Sequence, residues 1–123
     1  MNKCMLMIWG REFECNVIYE CYPGEAVLES QKEAYGWLSS TEMIEASLVY
    51  VKDYVLKTAG TQVEKPIENI FKYVVPKSIF VPHDSKNPKV AILCNYKFDM
   101  EHGLAVVFEN AQCKEIGEKD IIL

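Results

Sequence analysis

Asp99, Glu101 and His102 are the residues whose types and spacing most suggest chemistry. Two carboxylates and an imidazole within four residues could bind a divalent metal ion or share a proton. The same segment also fits a tight turn, in which Asp99 accepts backbone hydrogen bonds and Gly103 supplies a positive φ. Turn side chains point in divergent directions, and a catalytic metal normally needs three protein ligands. The sequence therefore favours a turn and keeps a metal-binding or hydrolytic site as the alternative.

The second histidine and the five cysteines give little indication of another reactive site. His83 lies in a polar loop between two prolines, where a solvated side chain is expected. The five cysteines are an odd number with no C-x-x-C pair, which fits neither a disulfide framework nor a zinc knuckle. We expect Cys15, Cys21 and Cys94 to point inward and Cys113 to be the exposed thiol. The sequence gives no indication that a histidine lies beside any of these thiols and could act as its base. We therefore predict no catalytic residue and no cofactor.

The segment 89–110 must position the Asp99–Gly103 turn. Apolar residues alternate on both sides of that turn, which is typical of a β-hairpin with an apolar inner face. They are Val90, Ile92, Cys94, Tyr96 and Phe98 before the turn, and Leu104, Val106 and Phe108 after it. This hairpin is the element that the sequence predicts most clearly.

The rest of the sequence predicts short elements around this hairpin. Strands are expected at 5–9, 12–22, 78–81 and 112–116, with a helical turn at 66–74. A first helix is predicted over 25–38, and a second begins at a capping motif near Ser40 and ends about Thr58, before Gly60. The wide apolar stripe of the second helix predicts that it is covered on more than one side. We predict one α+β domain over residues 1–123, an antiparallel sheet of about five to six strands with two main helices packed on one face.

The chain carries a net charge of −5 that is unevenly placed. Residues 1–45 contain eight acidic and three basic residues, whereas residues 46–123 contain ten of each. A nucleic-acid ligand is disfavoured, because phosphate binding requires a basic surface, while a cationic protein partner would fit. No apolar run is long enough to span a bilayer and no signal peptide is visible, so we expect a cytoplasmic protein without a membrane role.

Six acidic residues make up the predicted partner-binding surface, three on the second strand and three on the first helix. They are Glu12, Glu14, Glu20, Glu25, Glu29 and Glu33. Aromatic residues that the core does not absorb would supply affinity. The alternative is an ordinary solvated face, because net charge mainly serves solubility.

Several segments resemble a bacterial family of unknown function. The resemblance is carried by residues 94–110 with their Asp-Met-Glu-His-Gly turn, by 114–117 and 120–123, by 69–74 and 76–78, and by 9–13. The resemblance implies a relation to small domains with a similar acidic-His-Gly turn that are encoded near bacterial toxins, including immunity proteins. The resemblance implies no catalytic residues.

These observations favour a non-enzymatic cytosolic protein-binding domain, an immunity protein that neutralises a cationic bacterial toxin by covering it. Two alternatives stay open. One is a small metal-binding or hydrolytic domain that uses Asp99, Glu101 and His102, and the other is a domain that associates with itself. The sequence names neither the partner nor the oligomeric state.

Overall fold

Six strands lie in one sheet in the same order as in the sequence, β1-β2-β3-β4-β5-β6. The computed structural model describes residues 2–123. The strands are β1 Asn2–Ile8, β2 Arg11–Tyr19, β3 Val74–Val81, β4 Lys89–Tyr96, β5 Leu104–Glu109 and β6 Gln112–Gly117. The helices are α1 Glu29–Gly36 and α2 Thr41–Ala59. The predicted α+β class, strand number and two main helices are confirmed.

The prediction of a wholly antiparallel sheet is wrong for one pair of strands. Strand β2 pairs with β3 in parallel, with Asn16 opposite Ser78 and Tyr19 opposite Val81, while the other four pairs are antiparallel. A parallel pair requires a long crossover connection. Here residues 20–73, which contain both helices, form this crossover. The sheet is mixed because both helices lie between β2 and β3 in the sequence.

Alternation along β2 separates the core from the surface as predicted. Cys15 belongs to the main core and Phe13 packs against it, whereas Glu12 and Glu14 are exposed on the opposite face. Buried side chains of both helices belong to the same core, among them Ala34, Ile44, Val51 and Val55. Strand β2 thus has one apolar and one charged face, because successive side chains point to opposite sides of a strand.

Polar contacts fix the start of each helix. Helix α1 begins at Glu29, four residues later than predicted, and the Gln31 side chain accepts a hydrogen bond from the Leu28 amide at 2.8 Å. Ser40 caps α2 by accepting from the Met43 amide, and Gly60 ends the helix with φ +61°. The expectation that α2 is covered on several sides is wrong, since Val49 and Tyr50 are more than half exposed. Their apolar side chains lie on its solvent face.

The region before β3 is less helical than predicted. Only Ile70–Lys72 forms a short 3₁₀ turn, and β3 already begins at Val74. The strand is longer than the predicted 78–81 because it continues through Pro76, with a bulge between Pro76 and Ser78. A proline in a sheet is typical of such a bulge, where one backbone donor can be absent.

The 89–110 hairpin is buried on both faces. Its predicted inner residues lie in the main core, and Ala91, Leu93, Ala105 and Val107 form a second cluster with Phe80 on the other face. Ile122 packs against this second cluster, while Leu123 is 68 % exposed. Ile121 lies against Gly117 at the end of β6, so two of the three C-terminal apolar side chains contact the sheet.

Ala111 stands at a turn position that suits glycine better. Between β5 and β6, Asn110 and Ala111 have φ of +54° and +58°. Two positive φ values define the turn that matches strand twist, and asparagine tolerates this region far better than alanine. We expect Ala111→Gly to stabilise the protein by about 0.5–1 kcal/mol in denaturant unfolding. The matched change Ala46→Gly, on the exposed face of α2, should destabilise it by about 1 kcal/mol; two changes of the same sign would contradict this account.

Candidate functional site

The turn between β4 and β5 places two of its three predicted polar residues together. The Asp99 carboxylate accepts a hydrogen bond from the His102 amide at 3.1 Å and lies 3.0 Å from the His102 ring Nδ1. The Gly103 amide donates to the Asp99 carbonyl at 2.8 Å, with Gly103 at φ +64°. The predicted turn is present, and its hydrogen bonds hold Asp99 against the imidazole.

The third member of the group is an acidic residue from the C-terminal segment and not from the turn. The Glu118 carboxylate lies 3.2 Å from His102 Nδ1, and one ligand atom from each of Asp99, His102 and Glu118 lies within 4.8 Å of the others. Glu101 is exposed and does not belong to this group. We call Asp99, His102 and Glu118 the hairpin cluster. The predicted set of Asp99, Glu101 and His102 is thus corrected at one position, because adjacent turn side chains diverge.

Charge in the hairpin cluster shifts the titration of its members. The Asp99 side chain raises the pKa of His102 by hydrogen bonding and by its charge, and Glu118 adds to this effect. Hydrogen bonds from the His102 amide and ring lower the pKa of Asp99. Burial, and then the charge of Glu118, raise the pKa of the Tyr54 phenol on α2. The two carboxylates therefore stabilise the imidazolium form relative to that of an isolated histidine, and a metal ion at Nδ1 would have to displace this proton.

No local sequence signal identifies Glu118 as a partner of His102, since 16 positions separate them. The contact forms because β6 ends at Gly117 beside Ala105, which returns the chain to the hairpin turn. The Lys119 amide then donates to the His102 carbonyl at 3.1 Å. Tertiary structure alone brings the two segments together.

The six predicted partner-binding acids come from three parts of the chain. Glu20 accepts a hydrogen bond from the His83 amide at 2.9 Å, and the Glu25 carboxylate lies 3.1 Å from the His83 ring, which stacks on Tyr22. These two acids hold the loop after β3, and His83 is less solvated than predicted. Glu29 pairs with Lys32 on α1, where Glu33 is also exposed. Only Glu12 and Glu14 of the six belong to β2 as the structure has it.

Glu12 and Glu14 lie beside exposed apolar side chains. Met7 is directly opposite Glu12 and Met5 is opposite Glu14 in the β1–β2 pair, so all four share one face. Met5, Met7 and Ile18 are 57 %, 42 % and 45 % exposed. We call Met5, Met7, Glu12, Glu14 and Ile18 the methionine–glutamate surface. It lies next to the open edge of the sheet, because β1 is the terminal strand.

The cysteines are mostly unreactive, although not all lie where predicted. Cys15 and Cys94 are buried as expected, and burial raises the pKa of Cys15 to about 11 and that of Cys94 well above its ordinary value. Cys21 is exposed because β2 ends at Tyr19, two residues before the predicted inward position. Cys113 is only partly exposed, and burial raises its pKa. The exposed thiol is therefore Cys21.

Thiol labelling should follow this order. Near neutral pH, we expect iodoacetamide to modify Cys21 first, with Cys15 and Cys94 protected until the protein unfolds. A pKa raised from 9.0 to about 11 alone lowers the thiolate fraction of Cys15 roughly 100-fold. Peptide mass spectrometry with and without guanidinium chloride measures the order. Rapid native labelling of Cys94 would contradict the buried position of β4.

A hollow of about 420 Å³ is lined by Asn2, Lys3, Val17, Tyr19 and Tyr35, none of which belongs to the hairpin cluster. Within residues 2–123, no helix combines the length and apolar character needed to cross a bilayer.

The fold and these two features define a small mixed-sheet α+β domain. The chain belongs to the family described as a domain of unknown function, DUF6985, which matches residues 2–123. Neither the curated proteins nor the solved structures gave a match. The predicted resemblance to a family of unknown function is confirmed, and the relation to immunity proteins stays a prediction.

Proposed function

We propose that this chain is a non-enzymatic cytoplasmic protein-binding domain that holds a cationic partner against its methionine–glutamate surface. The observation that carries the proposal is the placement of exposed Met5 and Met7 directly opposite Glu14 and Glu12. Methionine side chains are flexible and polarisable, and they are common on surfaces that adapt to a partner. Apolar contacts would supply affinity, while the carboxylates would select a positively charged partner.

Charge distribution supports a cationic partner. The chain has a net charge of −5, and residues 1–45, which include β1 and β2, contain the whole excess. Lys3 lies 3.3 Å from Glu14, but such an exposed pair adds little stability and can be exchanged for a partner's charge. Among residues 2–123, Glu12 has no salt bridge. These carboxylates are available to steer association with a basic surface.

The open edge of the sheet supports a protein partner over a small molecule. The outer backbone groups of β1 have no neighbouring strand in the sheet, and an extended segment could pair with them. The sequence resemblance to toxin-associated immunity proteins makes a basic toxin domain the proposed partner, which this chain would neutralise by covering it. Self-association through the same edge is the competing outcome.

Charge reversal on the methionine–glutamate surface tests this proposal. If an adjacent gene encodes a large secreted protein, its C-terminal region is the partner to co-purify with this chain and then measure by surface plasmon resonance. We expect Glu12→Lys with Glu14→Lys to slow association at least about tenfold at low salt, with less effect at high salt. Glu29→Lys with Glu33→Lys makes the same charge change on α1 and should slow association much less.

Two results would remove the proposal. One is an on-rate that is equal in the two double variants, because the location of the charge would then not matter. The other is a stable dimer in light scattering that Met5→Ser with Met7→Ser dissociates, which would assign the surface to self-association.

A further inference from the structure

We infer that the hairpin cluster is a binding site for a divalent transition-metal ion, with Zn²⁺ as the best-suited ion. Its three candidate ligands are a carboxylate oxygen of Asp99, Nδ1 of His102 and a carboxylate oxygen of Glu118. Three protein ligands with one position left for water are typical of an open zinc site. The site is independent of the methionine–glutamate surface, so either proposal can fail alone.

The ligand atoms lie close enough together for one ion to reach all three. His102 Nδ1 lies 3.0 Å from Asp99 Oδ1 and 3.2 Å from Glu118 Oε2, and the three ligand atoms lie within 4.8 Å of one another. Zinc bonds to nitrogen and oxygen are about 2.0–2.2 Å long, so neighbouring ligand atoms around one tetrahedral ion are roughly 3.3–3.6 Å apart. The two carboxylates would therefore have to move away from Nδ1 by a few tenths of an ångström to admit an ion.

Backbone contacts hold the three ligands from two separate segments. Asp99 and His102 are fixed within the turn by the Asp99 contact to the His102 amide. Glu118 directly precedes Lys119, whose amide donates to the His102 carbonyl. The position of each ligand is therefore set by the hydrogen bond of an adjacent backbone group, and such preorganisation reduces the cost of binding.

Donor chemistry selects the class of ion. An imidazole nitrogen with two carboxylates suits zinc and its first-row neighbours, whereas Mg²⁺ and Ca²⁺ prefer sites made of oxygen alone. His102, Asp99 and Glu118 keep 51 %, 35 % and 44 % of their side-chain surface exposed, which leaves the ion accessible to water. Because Asp99 and His102 precede β5 and Glu118 follows β6, a bound ion would tie the C-terminus to the hairpin.

Calorimetric titration with ZnCl₂ tests the inference. The titration uses the Cys21→Ser protein, because Cys21 is an exposed thiol that could itself bind zinc. We expect one saturable site, lost or weakened at least about tenfold in His102→Ala and in Glu118→Gln. Glu101→Gln is the matched acidic control and His83→Gln the matched histidine control, and both should bind zinc within about twofold of the parent.

A second readout separates ligation from folding. Zn²⁺ should raise the melting temperature of the parent protein and slow hydrogen exchange at the Lys119 amide, while Mg²⁺ at the same concentration should do neither. Retained zinc affinity in His102→Ala would overturn the inference. So would an equal loss in Glu101→Gln and Glu118→Gln, which would indicate diffuse attraction to acidic groups, and so would a flat titration of the parent protein.

Discussion

Replacing Gly103 by alanine should destabilise the protein by about 2–4 kcal/mol, a large part of the stability of a domain of this size. Gly103 has φ +64°, where a side chain is strained. A methyl group there would also lie 2.9 Å from the Cys94 carbonyl oxygen and 2.5 Å from Cε of Lys119. The Lys119 side chain can move, but the Cys94 carbonyl belongs to a central strand. Equilibrium denaturation by urea, with the m-value checked for constancy, measures the loss.

Gly24→Ala provides the matched control for Gly103→Ala. Gly24 also has a positive φ, +81°, but nothing lies within 4 Å of the position that its methyl group would occupy. It therefore reports the backbone strain alone, and we expect a cost of about 1 kcal/mol. Equal losses in the two variants would show that the close approach of Gly103 to the Cys94 carbonyl is not maintained in solution.

Replacing Gln31 by methionine should cost about 2–4 kcal/mol, although the two side chains have similar size. The Gln31 side chain is 1 % exposed and forms three hydrogen bonds with backbone groups. Its Nε2 donates to the Glu20 carbonyl at 2.8 Å and to the Val81 carbonyl at 3.1 Å, and its Oε1 accepts from the Leu28 amide. Methionine would leave the Glu20 carbonyl and the Leu28 amide without these partners, because a thioether has no hydrogen to donate and is only a weak acceptor.

The position of Gln31 explains why this effect should be large. Its amide group joins the start of α1 to the ends of the parallel strands β2 and β3, where the Glu20 amide also donates to the Val81 carbonyl. We expect faster hydrogen exchange at the Leu28 amide in Gln31→Met, together with a lower urea midpoint. Gln62→Met, at an exposed position after α2, should change stability by less than about 0.5 kcal/mol. A Gln31→Met protein as stable as the parent would contradict the account.

Local pattern was sufficient for most elements. The alternating residues of 89–110 predicted β4, the turn and β5, because one buried face imposes a period of two on a strand. Ser40 and Gly60 marked the ends of α2, since the free amides and carbonyls of a helix must be capped. Such features depend on neighbours in sequence and can be read without the rest of the fold.

Features that depend on distant segments were missed. The inward position assigned to Cys21 failed because β2 ends at Tyr19, at a point where α1 and the loop after β3 meet the chain. Gln31 looked like an ordinary polar helix residue, yet it is buried against backbone groups up to 50 positions away. Buried polar side chains are specified by their partners, and sequence alone does not name those partners.

The sequence by itself determined the α+β class, a sheet of about five to six strands, the two main helices, the outward position of Glu12 and Glu14, and the presence of a turn at Asp99–Gly103. Tertiary structure alone decided that β2 and β3 are parallel, that Met5 and Met7 face those glutamates, and that Glu118 replaces Glu101 beside His102. The physical reason is the range of the interactions. Periodicity and capping act over a few residues, whereas strand pairing and ligand convergence depend on where the folded chain returns.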